Sequence, residues 1–101
     1  MAMYILLGNF TDQGIRNIKD TAKRAEALKG LAKKVGATVK ETYWTLGQYD
    51  TVAIFDAPDD EAMTSLALSI GVLGNVRTQV LRAFTPSEIG PIVSGATKPK
   101  R

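Results

Sequence analysis

Asp50 is a carboxylate that could take a proton, and Tyr49 beside it is a phenol that could give one. Arg77 and Thr78, in a second short polar stretch, could hold a developing oxyanion. Asn9, Thr11, Gly14 and Arg16 form a third group, in which asparagine and threonine are neutral donors, arginine is a permanent cation, and glycine leaves backbone N–H groups uncovered. Such residues suit binding of a small anionic or polar metabolite through a carboxylate, phosphate or enolate oxygen. They also suit cofactor-independent proton transfer of the isomerase or monooxygenase type, with Tyr49 and Asp50 as the catalytic candidates. A third reading is a structural subunit without ligand, in which Asp50 pairs with Arg77 or satisfies backbone donors in a turn and the nearby glycines only supply backbone freedom.

Composition removes most other chemistries. The chain has no cysteine, hence no disulfide, thiolate metal site or cysteine nucleophile. It has no histidine either, which excludes a serine triad and a histidine-ligated haem. No Walker loop, Rossmann fingerprint or calcium-loop spacing occurs, so neither metal nor cofactor is expected. No stretch reaches the ~18 consecutive apolar residues of a membrane span, and Met1 to Phe10 lacks the basic region and cleavage site of a leader. A cytoplasmic protein without a membrane segment is the expectation. The net charge is +3 over 101 residues, a length that suits one domain. Arg16, Lys19, Lys23, Arg24, Lys29, Lys33 and Lys34 make a basic run, but no RNA-binding glycine-aromatic motif accompanies it. It reads as a solvated helix face, and Lys98, Lys100 and Arg101 do not make nucleic acid an expected partner.

The elements that must position the polar groups follow from periodicity. Tyr4 to Phe10 is an almost wholly apolar run bounded by Thr11-Asp12-Gln13-Gly14, the pattern of a strand buried on both faces. Ile15, Ile18, Ala22, Ala25, Leu28, Ala32 and Val35 then recur at helical spacing, predicting one helix from about Asp12 to a terminating Gly36. Ala37 to Leu46 and Thr51 to Phe55 are β-rich and flank Gly47-Gln48, which suits a tight hairpin turn. Pro58-Asp59-Asp60-Glu61 starts a second helix that stops at Gly74, and Asn75 to Phe84 is a fourth strand. Residues 87–101, rich in glycine and proline, are expected to be a flexible or partner-wrapping tail beyond a domain of residues 1–86.

The resulting βαββαβ order predicts an α+β, ferredoxin-like fold: a four-stranded antiparallel sheet of order 4-1-3-2 with two helices on one face. Both sides of the central strands are apolar, although helices cover only one, so a second subunit is expected on the other as in a dimeric α/β barrel. Ala62 to Asn75 carries no charge, a composition that suits a core helix or a further contact in a homodimer or larger homo-oligomer. The strand directions bring the polar clusters to one end of the sheet. There the start of the first helix offers free N–H groups to an anion, and Arg77, two strand spacings or about 10 Å away, could reach Asp50.

Gly47-Gln48-Tyr49-Asp50, together with Asn9 to Arg16 and Gly74-Asn75-Val76-Arg77-Thr78, resembles the GYD-domain family of small prokaryotic proteins. The resemblance runs from about Met3 to Phe84, with the residues after Ser87 outside it. It implies a ferredoxin-like oligomer similar to the dimeric α/β-barrel group. That group spans cofactor-free monooxygenases, isomerases, haem enzymes and amino-acid-sensing domains, so the fold by itself implies no reaction. The expectation is a small oligomeric binding or sensing module.

Overall fold

The computed structural model describes residues 1–97; Lys98, Lys100 and Arg101 lie outside the described residues. Alternation in the central strands sets the architecture. In β1 (Ala2–Phe10) Tyr4, Leu6 and Gly8 are buried and the residues between them half-buried. In β3 (Thr51–Ala57) the buried set is Ala53, Phe55 and Ala57. These strands pair antiparallel with Tyr4 opposite Phe55 and Leu6 opposite Ala53, so their buried residues share one face. β2 (Thr38–Trp44) and β4 (Val76–Ala83) flank them, giving the order β2-β3-β1-β4, which is the 4-1-3-2 sheet read from the other edge.

Helices α2 (Thr21–Lys34) and α3 (Asp60–Val72) lie on the face of Tyr4 and Phe55. Phe55, Met63 and Leu66 are the largest fully buried side chains, each stabilising by about 1.5–3 kcal/mol on burial. Asp59 caps α3 by accepting the Ala62 N–H at 2.8 Å. Gly36 ends α2 at φ +76°, and the Ala37 N–H reaches back to the Ala32 carbonyl at 2.9 Å, the closing bond of a Schellman cap. No helix of the described residues is long and apolar enough to cross a membrane.

Three expectations change. The first helix is not continuous: α1 (Asp12–Arg16) is followed by a 3-10 turn at Ile18–Asp20 before α2 begins. Asn17 leaves helical geometry at φ −106°, ψ 27°, and the Arg24 guanidinium donates to the Asn17 and Gly14 carbonyls at 2.8 and 3.4 Å. The Asn17 carbonyl also accepts the Asp20 N–H at 3.0 Å, the i+3 bond of the 3-10 turn, and Ile15 and Ile18 on this broken stretch stay exposed. The hairpin is also looser than a two-residue turn, because β2 ends at Trp44 and β3 starts at Thr51. Finally, the described residues hold four helices, not two, because the break divides the first and Pro86–Thr97 forms α4 within the segment expected as a flexible or partner-wrapping tail. Thr85-Pro86-Ser87-Glu88 is a capping box. The Thr85 N–H donates to Glu88 Oε1 at 2.8 Å, and the Glu88 N–H donates to Thr85 Oγ1 at 3.2 Å.

Among the described residues no helix lies on the second face of the sheet. Register places Ile5 between Ile54 and Leu81, and Leu7 between Val52 and Gln79, with Tyr43 beyond Val52. Ile5, Leu7, Val52, Ile54 and Leu81 form an apolar strip over β1, β3 and β4, with Gln79 at its β4 edge and Tyr43 and Glu41 at its β2 edge.

Candidate functional site

Each polar cluster has a backbone problem to solve. The β1–β3 ladder ends at the Gly8–Thr51 pair, so beyond it the β1 backbone lacks partners on that side. Asp50 supplies them: its N–H donates to the Gly8 carbonyl at 2.9 Å, and its carboxylate accepts the Phe10 N–H at 2.9 Å. The loop that presents Asp50 is held by Thr45, whose N–H donates to the Asp50 carbonyl at 2.8 Å and whose hydroxyl donates to the Tyr49 carbonyl at 2.6 Å. Gly47 takes φ +107° inside it. The Asn9 amide donates to the Gln48 carbonyl at 2.7 Å and ties the loop to β1 a second time.

The first helical turn is stitched to the passage from α3 into β4. The Thr11 hydroxyl accepts the Gly14 N–H at 3.1 Å and donates to the Gly74 carbonyl at 2.6 Å, while the Thr11 N–H reaches the Asn75 carbonyl at 3.1 Å. The Gln13 amide donates to Leu73 O and Asn75 Oδ1, both at 3.0 Å. Gly14 is required here, because a Cβ at that position would sit 2.0 Å from the Asn75 carbonyl oxygen. The start of α1, expected to face an anion, thus has its cap filled by Thr11 and a carbonyl packed against Gly14.

The candidates therefore separate into groups. Thr11, Gly14 and Asp50 serve the internal junctions. Arg16 is exposed at the end of α1. Thr78 pairs with Gly8 on the helix side of the sheet and borders a groove with Leu68 and Val72 of α3. Asn9 and Arg77 are opposite each other on the open side, next to Gln79 opposite Leu7, and the Tyr49 hydroxyl donates to Gln79 Oε1 at 3.0 Å. Asn9, Tyr49, Gln79 and Arg77 make a polar rim at the upper end of the apolar strip. No ion pair among the described residues involves Asp50 or Arg77, so the anticipated contact between them is absent there. Gln79 escaped the sequence reading, although strand alternation from Arg77 leads directly to it.

A further polar contact lies at the opposite end. The buried Tyr4 ring sends its hydroxyl to Asp60 Oδ1 at 2.5 Å. That hydrogen bond, with burial and the Asp60 charge behind it, holds the Tyr4 phenol above its ordinary pKa of 10.0. The neighbouring Arg82, 5.6 Å from the ring centre, acts in the other direction.

Comparison with known proteins agrees with this architecture. A glutamine synthetase and cystathionine beta-lyase binding protein of Thermus thermophilus is 28% identical over 90 residues, covering 88% of this chain and 95% of that protein. The crystal structure of TTHA0845 from the same organism superposes with a TM-score of 0.55 at 26% identity, over 84% of this chain and 95% of that one. The crystal structure of FFRP-DM1 gives 0.60 at 16% identity, over 83% and 100% respectively, a likeness of fold alone. The GYD domain profile matches residues 4–93, which carries the shared pattern past Ser87 and into α4. With nearly the whole described chain inside that match, the protein belongs to the GYD domain family.

Proposed function

We propose that the protein is a small homodimeric binding module in which the open faces of two sheets pack together and the rim residues take a small anionic or polar metabolite. The observation that carries this reading is the apolar strip of Ile5, Leu7, Val52, Ile54 and Leu81, uncovered by any helix of the described residues and bounded above by Asn9, Tyr49, Gln79 and Arg77. A strip of that kind is self-complementary across a two-fold axis, and closing it puts the rim at the mouth of the enclosed space. Arg77, which enters no ion pair among the described residues, supplies the charge for an anion. Larger assembly has its own support. Leu68 and Val72 on α3 are 66% and 85% exposed, and Ile89, Ile92 and Val93 on α4 are exposed too, so α4 suits the role of an arm laid on another subunit.

The Thermus relative is named for binding glutamine synthetase and cystathionine beta-lyase, which supports the binding class and makes a protein the alternative ligand. Catalysis has less support, because the Asp50 carboxylate that would act as the base is engaged by the Phe10 amide.

A thermal-shift screen with carboxylates, phosphates and phenolic acids tests the reading. A ligand at about 100 times its dissociation constant adds about 2.7 kcal/mol to stability, a shift expected in wild type and lost in Arg77→Ala. No shift with any compound would sink the metabolite site. A shift retained in Arg77→Ala would remove the rim from it.

A further inference from the structure

The two layers meet unevenly. At the lower end Tyr4, Phe55, Met63 and Leu66 fill the space between sheet and helices. At the upper end small residues, Thr51 and Ala53 on the sheet and Thr21 and Ala25 on α2, interrupt a lining of larger apolar ones such as Phe10 and Leu28. Gly8 adds nothing there, since a Cβ on it would meet Thr51 Oγ1 at 2.4 Å and Val76 Cγ1 at 2.7 Å. The result is a cleft of about 240 Å³ between α2, α3 and the sheet. Protein interiors seldom leave such gaps, and an apolar cavity of about 150 Å³ already takes up benzene.

Two side chains give this cleft a chemical character. The Trp44 indole lines it, oriented by its N–H donating to Thr21 Oγ1 at 3.0 Å. Arg24 is the single charged residue of the lining and is half-buried. Its guanidinium donates to two carbonyls, Asn17 at 2.8 Å and Gly14 at 3.4 Å, and enters no ion pair among the described residues. A guanidinium has five N–H donors in a planar fork, so donors remain after those two contacts. A neutralising partner for a partly desolvated cation is therefore wanting.

We propose that this cleft binds a free carboxylic acid with a compact apolar body, the body between α2 and the sheet beside Trp44 and the carboxylate against Arg24. The site is separate from the rim, which lies on the other side of the sheet. It couples to the polar end of the molecule, because Arg24 also holds the break between α1 and α2.

The experiment uses Trp44, the one tryptophan of the chain, as its reporter. Wild-type protein is titrated with 3-phenylpropionate and with 3-phenylpropionamide, which keeps the body and lacks the charge. The expected result is a saturable change in Trp44 emission with the acid and at least about tenfold weaker binding of the amide, the difference a charge-assisted contact provides. Arg24→Met is expected to weaken the acid by a similar factor and leave the amide unchanged. Ala25→Leu, which fills the cleft, is expected to abolish both responses with an unaltered circular dichroism spectrum. Absence of a saturable change in wild type, or equal binding of acid and amide, overturns the proposal. So does a well-folded Ala25→Leu that binds like wild type. Should that variant not fold, the wild-type comparison of acid with amide decides alone.

Discussion

At the scale of single residues, the polar positions were legible and their work was not. Asp50 stands out in the sequence as the carboxylate of its cluster, but only the register of β1 against β3 leaves the Phe10 N–H needing an acceptor there. A sequence cannot supply that register to one residue. Asp50→Ala is expected to lower the unfolding free energy by about 1–3 kcal/mol in urea titrations, because a backbone donor loses its partner, whereas Asp50→Asn retains an oxygen and recovers most of it. Tyr4 gives a second test. Its raised pKa means that the folded state favours the protonated phenol, so the stabilisation is fully present below pH 10.0 and is lost as pH rises through the raised value. The stability gap between wild type and Tyr4→Phe should be widest below pH 10.0 and should narrow above it. A gap independent of pH would remove the Asp60 hydrogen bond from the explanation.

At the scale of elements, hydrophobic period identified all four strands and the two helices that build the core. It failed where a side chain overrode it. Ile15 and Ile18 fit the helical spacing, yet the chain breaks at Asn17, where Arg24 donates to the Gly14 and Asn17 carbonyls, and both isoleucines remain exposed. For α4 the opposite error applies: Gly90, Pro91 and Gly95 argue against a helix, while the Thr85-to-Glu88 capping box and Pro86 at the first turn outweigh them. Glycines show the same dependence on surroundings. Gly14→Ala should destabilise by at least about 1–3 kcal/mol, since its Cβ would overlap the Asn75 carbonyl. Gly30→Ala, in α2 with nothing within 4 Å of the new carbon, should stabilise by about 0.5–1 kcal/mol. A Gly14→Ala denaturation midpoint at or above that of wild type would contradict the packing of α1 on the α3–β4 passage.

At the scale of the whole molecule, shape and surface agree. The described chain measures 58 × 31 × 19 Å with a radius of gyration of 15.8 Å, against about 13 Å for a compact domain of this length. An apolar sheet face, an apolar side of α3 and a helix extending the molecule are the surfaces that the proposed homodimer and its larger assembly would use. The excess of apolar residues over what two helices can cover was readable from β1 and β3 alone; the extra helix was not, because its composition resembles a linker. Light scattering at micromolar concentration is the most direct measurement of the face-to-face dimer. The expected mass is near twice 10.9 kDa for wild type, falling to 10.9 kDa when Ile5→Lys places a charge between Ile54 and Leu81 in the apolar strip. A wild-type mass of 10.9 kDa would contradict the face-to-face dimer.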